Sequence, residues 1–191
     1  MPGAANQVRI IAGRHRGRRV RFLPGHGLRP TPDRVRETLF NWLRDVVGGA
    51  RCLDLFAGSG ALGLEALSRG AFFLCAVEQN RAAAQRLREN VALMGEQAAV
   101  EVLQRDALRL LSKAPDRPFD IAFVDPPFAD CLLPRVCRLL EDNRWLVAGA
   151  RVYIEQDANR SWPELPTNWA DLREGVAGQS GYRLLQRSSP G

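Results

Sequence analysis

The chain has almost no lysine: among its 27 basic residues only Lys113 is a lysine, and the others are arginines. It also has only two histidines and four cysteines. The cysteines form no C-x-x-C pair and no cluster with histidine, so the sequence indicates neither a zinc site nor a disulfide framework. We expect buried, reduced thiols and no metal. The four cysteines are Cys52, Cys75, Cys131 and Cys137.

Long apolar runs are also missing. No stretch is long enough to cross a bilayer, and the first ten residues, "MPGAANQVRI", lack the apolar segment of a secretion signal. A soluble, cytoplasmic protein with no membrane partner is therefore expected, with a monomer as the default. At 191 residues and 46% hydrophobic content, the chain can form one compact domain with a small appendage.

Acidic residues are scarce at the N-terminus. Residues 1 to 44 contain ten arginines but only Asp33 and Glu37 as acids, a net charge of +8. Because the whole chain carries +6, the remaining residues carry −2. A slightly acidic body with a basic N-terminal region is typical of proteins that bind nucleic acid.

The N-terminal region is predicted to form a β-hairpin in "VRIIAGRHRGRRVRFL", then a loop in "PGHGLRP", then a helix with Thr31 as its N-cap and Pro32 as its first residue. The arginines of the hairpin would contact phosphates, and those of the helix would project from its exposed sides. No catalytic role is expected for His15 or His26. The candidate RNA-binding residues are Arg9, Arg14, Arg16, Arg18, Arg19, Arg21, Arg34 and Arg36.

From about residue 50 short apolar runs alternate with helical patterns, which predicts an α/β fold with a mostly parallel sheet. The clearest helix spans residues 80 to 94 and ends at Gly95. The tail "NWADLREGVAGQSGYRLLQR" predicts an antiparallel hairpin at the sheet's edge. The candidate strands are "RCLDLF", "FFLCAVE", "AVEVLQ", "FDIAFVD" and "RVYIEQ".

A glycine loop follows the first of these strands. Gly58, Gly60 and Gly63 fit G-x-G-x-x-G, and Glu78 lies about twenty residues further on, where an acid can bind ribose hydroxyls. Glycines allow the backbone to approach a ligand closely. The pattern alone indicates an adenosine-containing cofactor and leaves NAD open, and a lone motif of this kind is often only a tight turn.

Two further acids favour S-adenosylmethionine over NAD. Asp54 precedes the loop, where it can face the cationic amino-acid end of that cofactor but would repel a pyrophosphate. Asp106 follows the third strand and can accept a hydrogen bond from the adenine amino group.

The stretch "VDPPF" ends the fourth predicted strand, beside the point where a doubly wound sheet binds its ligand. The Asp125 carboxylate and the Pro126 carbonyl can accept hydrogen bonds from an exocyclic amine and direct its lone pair at a methyl donor. Pro127 stiffens the turn, and Phe128 offers a ring on which an extruded base can stack. A simple proline turn is the alternative, which the upstream glycine loop makes less favourable.

The blocks "RIIAGRHRGRRVRF", "GLRPTPDRVRETLFNWL", "CLDLFAGSGALGLEALSRGA", "VDPPF", "VYIEQ" and "REGVAGQSGYRLLQR" together cover nearly the whole chain. In them the sequence resembles the bacterial methyltransferases of guanine 966 (N2) in 16S rRNA. The resemblance implies a Rossmann-like class I fold with a seven-stranded sheet, preceded by an N-terminal hairpin and helix extension. It also implies assembled small ribosomal subunits as the substrate. The domains would be residues 1–46, which bind RNA, and 47–191, which carry the methyltransferase.

The resemblance further implies roles for single residues. The methionine part of S-adenosylmethionine would be held by Asp54, Phe56, Ala57, Gly58, Ser59 and Gly60. Glu78, with Gln79 beside it, would hold the ribose, and Asp106 with Ala107 the adenine. Residues 125 to 128 would hold the guanine amino group. Two alternatives stay open: methylation of adenine or cytosine in DNA, and an RNA-binding assembly factor without turnover.

Overall fold

A computed structural model describes residues 7–23, 31–128 and 131–189 of the chain. The predicted N-terminal hairpin is confirmed: β1 (Gln7–Arg9) pairs antiparallel with β2 (Arg19–Arg21). The loop predicted in "PGHGLRP" and His26 lie outside the described residues.

The rest of the described chain alternates strands and helices. The helices are α1 (Asp33–Trp42), α2 (Ala61–Ser68), α3 (Arg81–Met94), α4 (Ala107–Leu111) and α5 (Leu133–Asp142). The strands are β3 (Arg51–Asp54), β4 (Phe73–Val77), β5 (Val100–Leu103), β6 (Phe119–Val124), β7 (Leu146–Asp157), β8 (Trp169–Ala177) and β9 (Ser180–Arg187).

Strands β3 to β9 form one seven-stranded sheet in the order β5-β4-β3-β6-β7-β9-β8. Strands β3 to β7 are parallel, and the C-terminal hairpin β8–β9 joins antiparallel, as predicted. The chain leaves β3 toward β4 on one side and returns through β6 on the other. This reversal is the switch point at which open α/β sheets bind ligands, so it locates the site at the ends of β3 and β6.

The ends of α3 and α1 can be compared with the ends predicted from their capping residues. In α3, the Asn80 side chain accepts a hydrogen bond from the Ala83 amide, and Gly95 ends the helix with φ +74°, as predicted. The prediction for α1 was wrong by one residue. Pro32 is its N-cap, with no side-chain capping bond, and the Thr31 hydroxyl instead donates to the Glu155 carboxylate across 3.3 Å.

The N-terminal segments share the core of the sheet. Val8, Val20, Val35 and Leu39 are buried in the same hydrophobic cluster as Ile121 of β6. The boundary at residue 46 therefore remains a prediction about function, because the described residues on its two sides pack together.

Candidate functional site

The glycine loop connects the end of β3 to the start of α2. Gly58 and Gly60 have φ values of +50° and +78°, which other residues adopt only with strain. The Gly58 amide donates to the Glu78 carboxylate across 3.0 Å, and the Asn80 amide donates to the other oxygen across 2.7 Å. The structure thus brings the loop and Glu78 together at adjacent strand ends.

Asp54 is buried beneath this loop. Its side chain is 4% exposed and accepts a hydrogen bond from the Gly63 amide across 3.2 Å. Burial raises the pKa of Asp54 to about 7. A buried carboxylate that keeps a raised pKa despite backbone hydrogen bonds from Gly63 and Phe56 fits a site that receives a cation, because the cation compensates the missing hydration.

The remaining cofactor candidates surround this centre. Asp106 follows β5 and caps α4 by accepting from the Arg109 amide across 2.8 Å, and Ala107 is the buried first residue of that helix. Ser59 and Phe56 are half-buried in the loop, with Ala57 buried between them. Phe56, Ser59 and Asp106 therefore keep accessible surface at the carboxyl edge of the sheet. Gln79, next to Glu78, is exposed.

Asp125 directly follows β6 and is half-buried. Burial, followed by the charges of Glu155 and Asp54, holds the pKa of Asp125 well above its usual range. Pro126 is buried, Pro127 is exposed and Phe128 is half-buried. The structure therefore gathers Asp54 and Asp125 at the switch point, close enough for their charges to interact.

Arg160, which is not among the predicted site residues, contacts the "VDPPF" turn. The Arg160 guanidinium donates to the Phe128 carbonyl across 3.0 Å, and it also contacts the Cys131 sulfur. A cavity of about 150 Å³ beside the turn is lined by Pro126 to Phe128 on one side and by Glu155 and Arg160 on the other. No sequence pattern links Arg160 to a turn 32 positions away.

Glu155 is a second buried carboxylate near this turn that is not among the predicted site residues. It is 3% exposed and accepts hydrogen bonds from the Tyr153 hydroxyl across 2.6 Å and from Thr31 across 3.3 Å. The signal was present in "RVYIEQ", where an acid ends a buried strand, but that strand was considered only as part of the sheet.

The candidate RNA-binding arginines separate into exposed and buried ones. Arg36 was wrongly predicted to project outward: it is fully buried, donates to the Arg9 carbonyl and pairs with Asp33 and Glu65. Arg14 is half-exposed and pairs with Glu96 across 2.9 Å. The exposed candidates are Arg9, Arg16, Arg18, Arg19, Arg21 and Arg34.

The turn of the N-terminal hairpin lies far from Asp125. The Arg14 amide donates to the carbonyl of Ser68, the last residue of α2, and His15 contacts Glu96 just beyond α3. Helices that follow parallel strands return the chain to the amino edge of the sheet. The hairpin turn is therefore at the amino edge, whereas the start of α1, next to Thr31 and Glu155, is at the carboxyl edge.

Three of the four cysteines are buried as predicted, but Cys131 is exposed. Within residues 7–23, 31–128 and 131–189, no group of three or more candidate ligands could hold a metal ion. Across the same ranges, no helix has both the length and the apolar character needed to cross a membrane.

Known proteins share both the sequence and the fold. Residues 8–186 match the family described as "Conserved hypothetical protein 95". The chain is 48% identical to ribosomal RNA small subunit methyltransferase D of Escherichia coli (strain K12), over 98% of this chain and 93% of that protein. It is 43% identical to the protein of the same name from Haemophilus influenzae, over 97% of this chain and 96% of that one.

Solved structures agree with these sequence relatives. The structure of yhhF from Escherichia coli has a TM-score of 0.86 and 49% identity, over 96% of this chain and 99% of that chain. An RNA methyltransferase from Salinibacter ruber, solved with S-adenosyl-L-homocysteine, shares the fold at a TM-score of 0.65 and 18% identity, over 85% of this chain and 95% of that chain. With its sheet order and its site at the switch point, the chain belongs to the ribosomal RNA small subunit methyltransferase D family, as an rRNA methyltransferase of the Rossmann-like class I fold.

Proposed function

We propose that the protein transfers a methyl group from S-adenosylmethionine to the exocyclic N2 amine of guanine 966 in 16S rRNA, on assembled small subunits in the cytoplasm. The observation that carries this proposal is the position of Asp125. Asp125 directly follows β6, close enough to Asp54 at the end of β3 for their charges to interact, and Pro126 and Phe128 follow in a stiff turn. Substrate amine and methyl donor would therefore meet at two neighbouring strand ends.

The carboxylates at the switch point fit S-adenosylmethionine, which would supply an electrophilic methyl group. Asp54 would face the cationic amino group, and Glu78 would accept from the ribose hydroxyls while it still holds the Gly58 amide. Asp106 would accept from the adenine amine. A pyrophosphate would meet the charges of Asp54 and Asp125 instead, which disfavours NAD.

An exocyclic amine needs positioning more than it needs a strong base. Hydrogen bonds from the guanine N2 amine to the Asp125 carboxylate and the Pro126 carbonyl would favour a pyramidal nitrogen and direct its lone pair. Phe128 would stack on the base, and Arg160 would hold the turn through the Phe128 carbonyl. Asp125, whose pKa is already raised, would take the proton that the methylated amine releases, or water would take it.

The exposed arginines support a large RNA substrate. Arg34 lies in the first turn of α1 near the carboxyl edge, whereas Arg16 and Arg18 belong to the hairpin turn at the amino edge. The 14 residues of α3 alone span about 21 Å between these edges. A folded ribosomal subunit is broad enough to contact both sets at once.

The test incubates the protein with labelled S-adenosylmethionine and unmodified small subunits, then identifies the labelled nucleoside after digestion. Label on N2-methylguanosine at one position is the expected result. Naked 16S rRNA and DNA serve as parallel substrates. Label on adenine or cytosine, or on DNA alone, would show that the base assignment is wrong, and binding without any label would favour a non-catalytic assembly factor.

A further inference from the structure

Glu155 and Asp125 are neighbours across the sheet. In the parallel pair β6–β7, Val124 lies opposite Ile154, so the next positions are Asp125 and Glu155. Neighbouring strands are about 4.8 Å apart. Phe123 lies opposite Tyr153, and side chains two positions apart share a face, so both carboxylates belong to the face that carries these two rings.

The Glu155 carboxylate is held in place by groups from separate parts of the chain. The hydroxyls of Tyr153 and Thr31 both donate to Oε1, and Ser180 of β9 hydrogen-bonds to this side chain as well. A carboxylate has about four acceptor positions, so three hydroxyls leave acceptor capacity. Glu155 also lines the cavity beside Pro126 to Phe128.

Two adjacent carboxylates favour a ligand that brings hydrogen-bond donors. Burial raises the pKa of Glu155, and burial together with Glu155 and Asp54 raises the pKa of Asp125. Ionised neighbours repel each other at this distance, so each N–H that a ligand points at them stabilises the pair. Pro126 and Pro127 supply only acceptors here, since they have no amide hydrogen.

Guanine is the base whose edge matches these acceptors. It presents the ring N1–H directly beside the N2 amine, whereas adenine and cytosine present a ring nitrogen lone pair beside theirs. We propose that Glu155 accepts the N1–H of the target guanine while Asp125 and Pro126 accept from its N2 amine, so that Glu155 selects guanine among the amino-bearing bases. This inference rests on the proposed function, because it requires a base bound at the "VDPPF" turn.

The test compares two bases at the target position of reconstituted small subunits: guanine and 2-aminopurine. The second base keeps the 2-amine but has a lone pair at N1. Glu155→Gln replaces the charged acceptor with a neutral amide, which has one acceptor oxygen and can also point a donor at N1, and Glu155→Leu offers neither donor nor acceptor. The wild-type protein should prefer guanine strongly. Both variants should lower that preference, by on the order of 100-fold, with most of the loss in kcat/KM on guanine.

The ratio between the two bases separates base selection from structural damage. A variant that only disturbs the fold lowers methylation of both bases alike, and the guanine preference then stays at the wild-type value. Glu141→Gln is the matched control, since Glu141 is a hydrogen-bonded carboxylate held by Arg187 and Trp169 away from the site. It should leave the preference unchanged. Thermal unfolding of all three variants measures their stability.

The possible outcomes are distinct. If the wild-type protein methylates guanine N2 but both Glu155 variants keep its guanine preference, the proposal that Glu155 selects guanine is wrong and the proposed function stands. If the wild-type protein places no methyl group on guanine N2, the proposed function itself is wrong, and the inference is overturned with it. A reduced guanine preference in both Glu155 variants, with Glu141→Gln like wild type, confirms the selection.

Discussion

The Gly58 amide donates to the Glu78 carboxylate across 3.0 Å, and this bond joins the loop after β3 to the end of β4. The loop conformation and the Glu78 carboxylate are therefore not independent features. A change at Glu78 removes a constraint on the glycine loop and, under the proposed function, also an acceptor for the ribose hydroxyls.

Glu78→Gln should weaken S-adenosylmethionine binding by about 10- to 100-fold, because it removes a charge-assisted acceptor from a largely buried position. Isothermal titration calorimetry measures the change directly. Glu101→Gln is the control, since Glu101 is an exposed acid on the neighbouring β5. Equal affinity in the Glu78 variant and wild type would mean that Glu78 serves only the fold.

Cofactor binding should release a proton from Asp54. Its folded pKa is about 7, and a cation bound beside it favours the ionised form, so the pKa falls on binding. Affinity should then decrease as the pH falls below about 7, by up to tenfold per unit. Calorimetry in two buffers of different ionisation enthalpy measures the proton. Proton release on cofactor binding should be absent in Asp54→Asn and small in the wild type above about pH 8. Proton release that persists in Asp54→Asn would exclude Asp54 as its source.

The same raised pKa predicts how stability depends on pH without cofactor. The folded state holds the Asp54 proton up to about pH 7, whereas the unfolded chain releases it at about pH 3.9. Folding therefore binds a proton between these values, and the contribution of Asp54 to stability falls as the pH rises through them. Urea unfolding gives the free energy of unfolding at pH 5 and at pH 8. Between these two pH values it should decrease less for Asp54→Asn than for wild type. A larger decrease would contradict the sign.

Arg36 and Arg34 should behave oppositely, although they are two residues apart on α1. Arg36 is fully buried and pairs with Asp33 and Glu65, so Arg36→Met should lower the free energy of unfolding by about 3–5 kcal/mol. Arg34→Met should leave it nearly unchanged, because Arg34 is exposed. Urea denaturation monitored by circular dichroism compares them. Similar small losses would mean that the buried network is energetically neutral.

The two arginines also show what the sequence could and could not predict. The glycine loop, Glu78 and "VDPPF" were found because each is a local pattern at a strand end, and the sheet brings strand ends together. The burial of Arg36 depends on Glu65, which belongs to another helix, and no local pattern reveals that pairing. The helical periodicity predicted that the side of α1 with Arg36 faces solvent, because a charged side chain is normally exposed.

Glu155 was missed for a related reason. Its position beside Asp125 follows from the register of β6 against β7, which requires knowing that these two strands are adjacent. The docking of the hairpin turn against Ser68 likewise depends on tertiary contacts, so the sequence predicted a basic surface but not its distance from the site.

The exposed arginines should determine the salt dependence of subunit binding. Each arginine that no longer neutralises a phosphate should reduce the slope of log affinity against log salt by about 0.7 to 0.9. Arg16→Ser with Arg18→Ser tests the amino edge, and Arg34→Ser tests the carboxyl edge. Filter binding to small subunits between low and physiological salt gives the slopes, and cofactor affinity is the internal control. A slope unchanged in both sets would remove these arginines from the RNA interface.

Asp125→Ala should nearly abolish turnover while it leaves S-adenosylmethionine binding almost intact, because the proposed function assigns Asp125 to the substrate amine and Asp54 to the cofactor. The loss in kcat should be on the order of 100-fold or more, as expected when a positioning acceptor of the transition state is removed. Single-turnover methylation of small subunits measures it, beside calorimetric titration of the cofactor. Asp120→Ala, in the same β6 but at its amino end, is the control for strand damage. An equal loss of cofactor affinity and turnover in Asp125→Ala would place this carboxylate in the cofactor site instead.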